Sequence, residues 1–311
     1  MRRIPPNMQP AAIALLIPLT AAIGQTQPPA AQNPSPMVER TRAHARLVAE
    51  TPTPGAHRTF DGPLAKPIEL FVPEKARAAS SLHLVIHFHG AAFVAEQAVA
   101  TLGDNHASAV VNLGAGGGVY DRTLSAPQAF DSLLASIQRE MSAAVAHPVR
   151  FSDVTLVGFS AGYGAVRAIL RDTSTFPRIA AVLLLDGLHT SYIPEATVVE
   201  KGGVLDTTSL MPFVSFGRLA VRGDKRFVIT HSEIFPGTFA STTETTDYLV
   251  AALGLTRKAV LRWGPGGMQQ LSEANLKGMS ILGFAGNAGP DHIDQLHGMP
   301  TFLRLVRSRG R

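Results

Sequence analysis

An α/β chain, built on a mainly parallel, doubly wound sheet with helices on both faces, is predicted by three features of the sequence. Two runs, Ser81–Phe88 (SLHLVIHF) and Ile179–Leu185 (IAAVLLL), are apolar almost throughout, the pattern of strands covered on both faces. Between them, Ser125–Val145 repeats Phe130, Leu133, Leu134, Ile137 and Met141 at helical spacing, one apolar stripe for the core. Finally, Val154–Arg171 carries a β-branched run, then Gly158-Phe159-Ser160-Ala161-Gly162, then a helical period with no spacer.

Taken in order, the chain opens with Arg2 and Arg3 before an apolar stretch, Ala11–Ile23, and small residues near Ala21, Ala22 and Gly24. A basic start, an apolar core and small residues are the parts of an export signal, so residues 1–24 are expected to be a signal peptide and the protein periplasmic or secreted. The apolar stretch is interrupted by Pro18 and is short for a bilayer, so no stable span is expected after its removal. Residues 25–36 are rich in Pro, Ala and Gln, a linker, and Met37–Glu50 suits a short charged helix. The domain proper is expected over 51–311.

Two β-like pieces, around His57–Phe60 and Ile68–Val72, precede Ser81–Phe88, and Ala109–Leu113 reads as a further strand. After Ile179–Leu185, residues 187–225 show no clear period and scatter Tyr192, Met211, Phe213 and Phe216, which suggests an insertion over the sheet edge, a candidate lid. Phe227–Thr230, a helix near Thr246–Leu253, the last strand Ser280–Phe284 and a closing helix from Pro300 complete the order.

Composition narrows the function. Hydrophobic residues are 45% and charged residues 16%, enough for a large core and too apolar for a disordered chain. The net charge is +5, yet no basic block is interleaved with aromatics, and Arg304, Arg307, Arg309 and Arg311 sit together at the C-terminal end, so nucleic acid is not an expected partner. There is no cysteine, hence no disulfide framework, and the core must hold the fold alone.

A serine on a bend between a strand and a helix needs neighbours without a Cβ, and the helix behind it aims free N–H groups at the serine oxygen. Gly158 and Gly162 satisfy that need around Ser160. In this the sequence resembles the α/β-hydrolase family, whose nucleophile elbow is G-x-S-x-G. The resemblance covers about residues 57–308. It implies a serine nucleophile followed in the chain by an acid and then a histidine, all on loops at the carboxyl ends of strands.

Four histidines follow Ser160: His189, His231, His292 and His297. The family's base lies after the last strand, which favours His292, in the loop AGNAGPDH, over His297, which stays a competitor. For the acid, Asp186 ends a buried strand in LLLDG, where a charge is costly without a partner; Glu233, in THSE, follows the next strand, where the family more often places its acid. Asp186 is chosen, with Glu233 as the alternative and an Asp-Gly turn as the plain structural explanation.

Transition-state charge needs N–H donors. The resemblance implies one from Ala161 and one from Gly90 or Ala91, because HFHGA at 87–91 partly matches the oxyanion motif of lipases and esterases, with alanines where those have further glycines. The glycine-rich NLGAGGGVY at 112–120 lacks the Lys-Ser/Thr ending of a phosphate loop and reads as a loop bordering the site. His87 and His89 alternate as two zinc ligands do, but no carboxylate nearby completes a set, so no metal or cofactor is expected.

The function so implied is an exported serine hydrolase of small-molecule carboxylic esters, working through an acyl-enzyme on Ser160. An amide or peptide hydrolase on the same scaffold, and a non-catalytic binding protein that retains the fold, stay open as alternatives.

Overall fold

The computed structural model describes residues 51–103 and 105–307. The expected signal peptide, linker and short helix within residues 1–50 lie outside the described residues.

Strands β1 (Gly55–Phe60) and β2 (Ile68–Pro73) form an antiparallel pair. There follow β3 (Ser81–Phe88), α1 (Ala92–Leu102), β4 (His106–Val111), α2 (Gly117–Leu124), α3 (Ala129–Val145), β5 (Arg150–Phe159) and α4 (Tyr163–Arg171). The second half runs β6 (Ile179–Leu185), a ribbon of β7 (Tyr192–Ile193) and β8 (Val204–Leu205), α5 (Met211–Arg222), β9 (Arg226–His231) and α6 (Thr242–Ala252). It closes with β10 (Lys258–Trp263), β11 (Gln269–Leu276), β12 (Met279–Phe284), α7 (Gly289–His297) and α8 (Met299–Val306).

Ten strands make one sheet in the order β1-β2-β4-β3-β5-β6-β9-β12-β11-β10. The six from β4 to β12 are mutually parallel; β1 and β2 at one edge, and β11 and β10 at the other, are joined antiparallel. Alternation along a central strand shows why both faces are covered. Ile179, Val182 and Leu184 of β6 pack into a core shared with α2, α3, α4, α5 and α6. Ala181, Leu183 and Leu185 pack on the opposite side, with α1, α7 and α8. The expected doubly wound α/β architecture is the one observed.

Three expectations are corrected. The stretch 187–225 is not one loose insertion. Its second half is α5, whose Phe213 and Phe216 are fully buried against Phe227 of β9, so it is the crossover helix between β6 and β9. The last strand is preceded by two more, β10 and β11. The second of the two glycine-rich loops is shorter than expected, because α2 begins inside it at Gly117.

The corner after β5 is crowded enough to dictate its glycines. A Cβ on Gly162 would run into the carbonyl oxygen of Phe88, and one on Gly164 into that of Gly117. A Cβ on Gly187 would stand 2.5 Å from the Ser160 carbonyl oxygen. The ends of β3, β5 and β6 are thereby drawn together, which places the loops beyond them around one spot.

Candidate active site

Ser160 follows the last residue of β5 directly and opens a single 3-10 turn, Ser160–Gly162, that leads into α4. Its φ is 46°, a left-handed conformation that a non-glycine residue holds only when its surroundings impose it. Here the close packing of Gly162 and Gly187 imposes it. The strained bend lifts the hydroxyl off the sheet, and Ser160 lines a cavity of about 580 Å³.

Asp186 directly follows β6, the strand beside β5, and also has a positive φ, 42°. Its carboxylate is buried and receives four hydrogen bonds. Ser232 donates its backbone N–H to Oδ1 at 2.8 Å and its hydroxyl to Oδ2 at 2.7 Å. Thr242, the first residue of α6, donates its hydroxyl to Oδ1 at 2.8 Å. The fourth comes from His292, whose Nδ1 is 2.6 Å from Oδ2. Burial pushes the Asp186 carboxyl up, but the hydrogen bond and charge of His292, with the bonds from Ser232, outweigh it and hold the carboxyl far below the usual carboxylate range.

His292 lies in the first turn of α7, not in a loop as expected, because the helix starts at Gly289, with Pro290 in its first turn. Its ring packs on Phe159, centroids 4.6 Å apart. With Nδ1 committed to Asp186, Nε2 is the ring's other face. It is buried, has no hydrogen-bond partner among the described residues, and belongs to a residue that lines the same cavity as Ser160. A carboxylate that fixes an imidazole by Nδ1 leaves Nε2 to accept a proton, and in an unliganded site the bond from a nucleophile to that atom commonly closes only when substrate binds.

The alternatives are placed elsewhere. Glu233 exchanges contacts with the loop after β12: its backbone N–H bonds Gly286 O at 2.9 Å, and Gly286 N–H reaches its Oε2 at 3.4 Å. His297 ends α7, with its ring set edge-on to Phe93. The buried His231 ring accepts from Arg257 at 3.0 Å. His189 does line the cavity, between the rings of Tyr163 and Phe239, with Nδ1 on the carbonyl oxygen of Ala240 at 2.9 Å.

Of the three residues expected to supply N–H donors, Ala161 lines the cavity. Gly90 does not: its N–H is donated to Asn112 Oδ1 at 2.9 Å, while Asn112 Nδ2 donates back to Gly90 O at 3.0 Å. That pair ties the loop after β3 to the loop after β4, and Gly90 is corrected from donor to structural clasp. Ala91, at the N-cap of α1, also lies outside the cavity wall. The wall there is Ala115, Gly116 and Gly117, the glycine-rich loop read as a border of the site.

Neither histidine of the zinc reading is set for a metal. His87 is sealed in the core, its pKa pushed down to about 3 by burial, and His89 Nδ1 is 3.1 Å from the Tyr120 hydroxyl. Among the described residues no group of three or more His, Asp or Glu is placed to hold a metal ion, and no helix is long and apolar enough to cross a membrane.

Sequence reasoning missed Ser232 and Thr242 as members of the site and weighed His189 only as one of four candidate bases. The signal for Ser232 was available: it is the first residue beyond β9, a strand adjacent to β6, where side chains converge. Nothing local marks Thr242, which arrives by tertiary packing.

No family model matches the sequence, and no curated protein matches it. Solved structures do resemble it. A fungal esterase from Rhizomucor miehei is 13% identical, with 92% of this chain and 93% of that one covered, at a TM-score of 0.43. The ferric enterobactin esterase of Salmonella typhimurium is 16% identical over 83% of this chain and 59% of its own, with a TM-score of 0.48. An S-formylglutathione hydrolase from Staphylococcus aureus is 12% identical over 82% and 99%, at 0.43. The chain itself has a ten-stranded, mainly parallel, doubly wound α/β sheet. Its site sits beyond the carboxyl ends of four neighbouring parallel strands, β5, β6, β9 and β12, each contributing through the segment that follows it.

Proposed function

We propose that this protein is a serine hydrolase of carboxylic esters. Ser160 Oγ attacks the ester carbonyl carbon as His292 Nε2 takes its proton. The resulting oxyanion faces the Ala161 N–H and the amino end of α4, and the C–O bond to the alcohol then breaks as His292 returns the proton to the leaving oxygen. Water, deprotonated by the same imidazole, attacks the acyl-enzyme and releases the acid and free Ser160. Asp186 holds the imidazole in the tautomer that both half-reactions need and stabilises the imidazolium formed between them.

The observation that carries this reading is the 2.6 Å bond from His292 Nδ1 to Asp186 Oδ2, which leaves Nε2 unpartnered among the described residues beside the cavity that Ser160 lines. Ester turnover tests it. Wild-type protein should release p-nitrophenol from p-nitrophenyl acetate and butyrate, and Ser160→Ala should reduce kcat by about a thousandfold or more. Equal turnover by Ser160→Ala, or none by wild type across short acyl chains, contradicts it.

The signal-like composition of residues 1–24 supports export of the protein. N-terminal sequencing of protein recovered from outside the cytoplasm should begin after residue 24; a start at Met1 contradicts export with cleavage.

A further inference from the structure

Three hydroxyl groups in the cavity wall have their hydrogens already spent. Thr190 Oγ1 donates to the carbonyl oxygen of Asp206 at 2.7 Å, and Ser209 Oγ donates to Asp206 Oδ2 at 2.8 Å. Thr242 Oγ1 donates to Asp186 Oδ1 at 2.8 Å. Carbonyl and carboxylate oxygens only accept, so in each pair the hydroxyl hydrogen is committed, and the hydroxyl oxygen offers lone pairs alone. The same logic fixes His189. Its Nδ1 is 2.9 Å from the Ala240 carbonyl oxygen, so Nδ1 carries the hydrogen and the far nitrogen, Nε2, is an acceptor. Burial lowers the pKa of this ring and keeps it neutral. The rings of Tyr163 and Phe239 flank it edge-on at centroid distances of 5.6 and 4.9 Å. Arg167, also in the wall, is tied by its Nε to Asp121 Oδ2 at 2.6 Å.

An acceptor fixed in this way, on a residue that lines the cavity, is complementary to a ligand that brings a hydrogen. We propose that the cavity selects esters carrying a hydroxyl group near the scissile bond, with His189 Nε2 the principal acceptor and the hydroxyl oxygens of Thr190 and Ser209 beside it. The inference rests on the hydrolase reading only where turnover is the readout; ligand binding tests it without that reading.

Matched probes decide it: methyl 3-hydroxybutyrate against methyl 3-methoxybutyrate and methyl 3-aminobutyrate, and 4-hydroxyphenyl acetate against 4-methoxyphenyl acetate, placing the hydroxyl on the acyl or the alcohol side. One hydrogen bond gained by the hydroxyl is expected to favour it about tenfold in kcat/KM in at least one pair. His189→Phe should bring that ratio to about one, and His189→Gln, whose amide can keep the bond to Ala240 and present an oxygen, should restore part of it. Calorimetry on Ser160→Ala should give the same order of affinities, so a failure of the hydrolase reading leaves this result standing. The imidazole nitrogens of 15N-histidine-labelled Ser160→Ala protein supply a readout that needs no variant at 189: the His189 Nε2 resonance should move with the hydroxy ester and not with the methoxy ester. No preference for the hydroxyl, a preference that survives in His189→Phe, a stronger preference for the amine, or a stationary Nε2 resonance overturns the proposal.

Discussion

Asp186 is the most heavily bonded side chain in the site, and its partners explain how a carboxylate is kept ionised in a buried place. Two hydrogen bonds from Ser232 and one from Thr242 occupy three of its lone-pair directions and leave a single one for His292. The imidazole therefore has one seat. Ser232→Ala removes a hydroxyl bond to a charged acceptor, a loss on the order of 1.5–3 kcal/mol in such settings. We expect kcat on a simple ester to fall by about tenfold or more with KM within about twofold; a rise in KM at constant kcat would instead assign Ser232 to substrate binding. Asp186→Asn should be far more damaging, by about ten-thousandfold, because an amide offers a donor where Nδ1–H needs an acceptor and so selects the wrong tautomer. At this scale the meeting of Asp186 with His292 on the cavity that Ser160 lines could be anticipated from residue type, chain order and strand ends. Gly90 was misread because HFHG supplies the motif but not its partner: only the fold shows Asn112, 22 residues on, taking the N–H.

Among the elements, α6 links the cavity rim to the acid. Ser241 caps it by accepting from Glu244 N–H, and Glu244 in turn accepts from Ser241 N–H and from the Tyr192 hydroxyl of the β7–β8 ribbon. The residue after this cap is Thr242, so the cap sets the position of a donor to Asp186. Ser241→Ala should cost about 0.5–2 kcal/mol of stability, as cap removals do, and should also lower kcat measurably at temperatures where the protein is fully folded. Stability loss with kcat untouched would confine the cap to a structural role. Helix α5 gives a different outcome. Phe216→Ala, in a fully buried position between Phe176 and Phe227, should destabilise by about 3–5 kcal/mol, whereas a residue of a loose lid would cost almost nothing. Its period was in fact present in the sequence, since Phe213, Phe216 and Ala220 recur at three and four residues, but the preceding loop blurred it. Strands β10 and β11 were invisible for a physical reason. They extend the sheet beyond its covered part, so Leu261 and Trp263 are exposed on either side of the charged Arg262, giving neither an apolar run nor a buried stripe. Helix α1 (AFVAEQAVATL) is alanine-rich and buries small residues, which makes a faint stripe.

Over the whole molecule, the core is large and the histidines buried in it make stability depend on acidity. Burial drives His87 down to about 3, and burial first and then the charge of Arg257 drive His231 down to about 4. Both stay neutral in the fold while the unfolded chain protonates near 6.5, so between about 4 and 6.5 the unfolded state binds more protons and stability rises with pH. Each ring contributes a slope of at most about 1.4 kcal/mol per pH unit across that window. The melting temperature should therefore drop steadily as pH falls from 6.5 to 4, and less so in His231→Gln; a flat profile would mean that these rings are protonated in the folded protein. The central sheet and both helical layers followed from apolar runs and one helical stripe, because a doubly covered sheet writes itself in hydrophobicity. What the site recognises did not, because hydrogen-bond direction in the cavity wall is set by partners distant in sequence.

The account stands or falls on Ser160 as a nucleophile served by His292. The most direct measurement is the rate at which a fluorophosphonate modifies the protein, with the adduct mapped by peptide mass spectrometry. The account predicts a single adduct on Ser160, formed at least about a thousandfold more slowly in His292→Ala and at the wild-type rate in His297→Ala. An adduct on another residue, or normal labelling in His292→Ala with loss in His297→Ala, would contradict it.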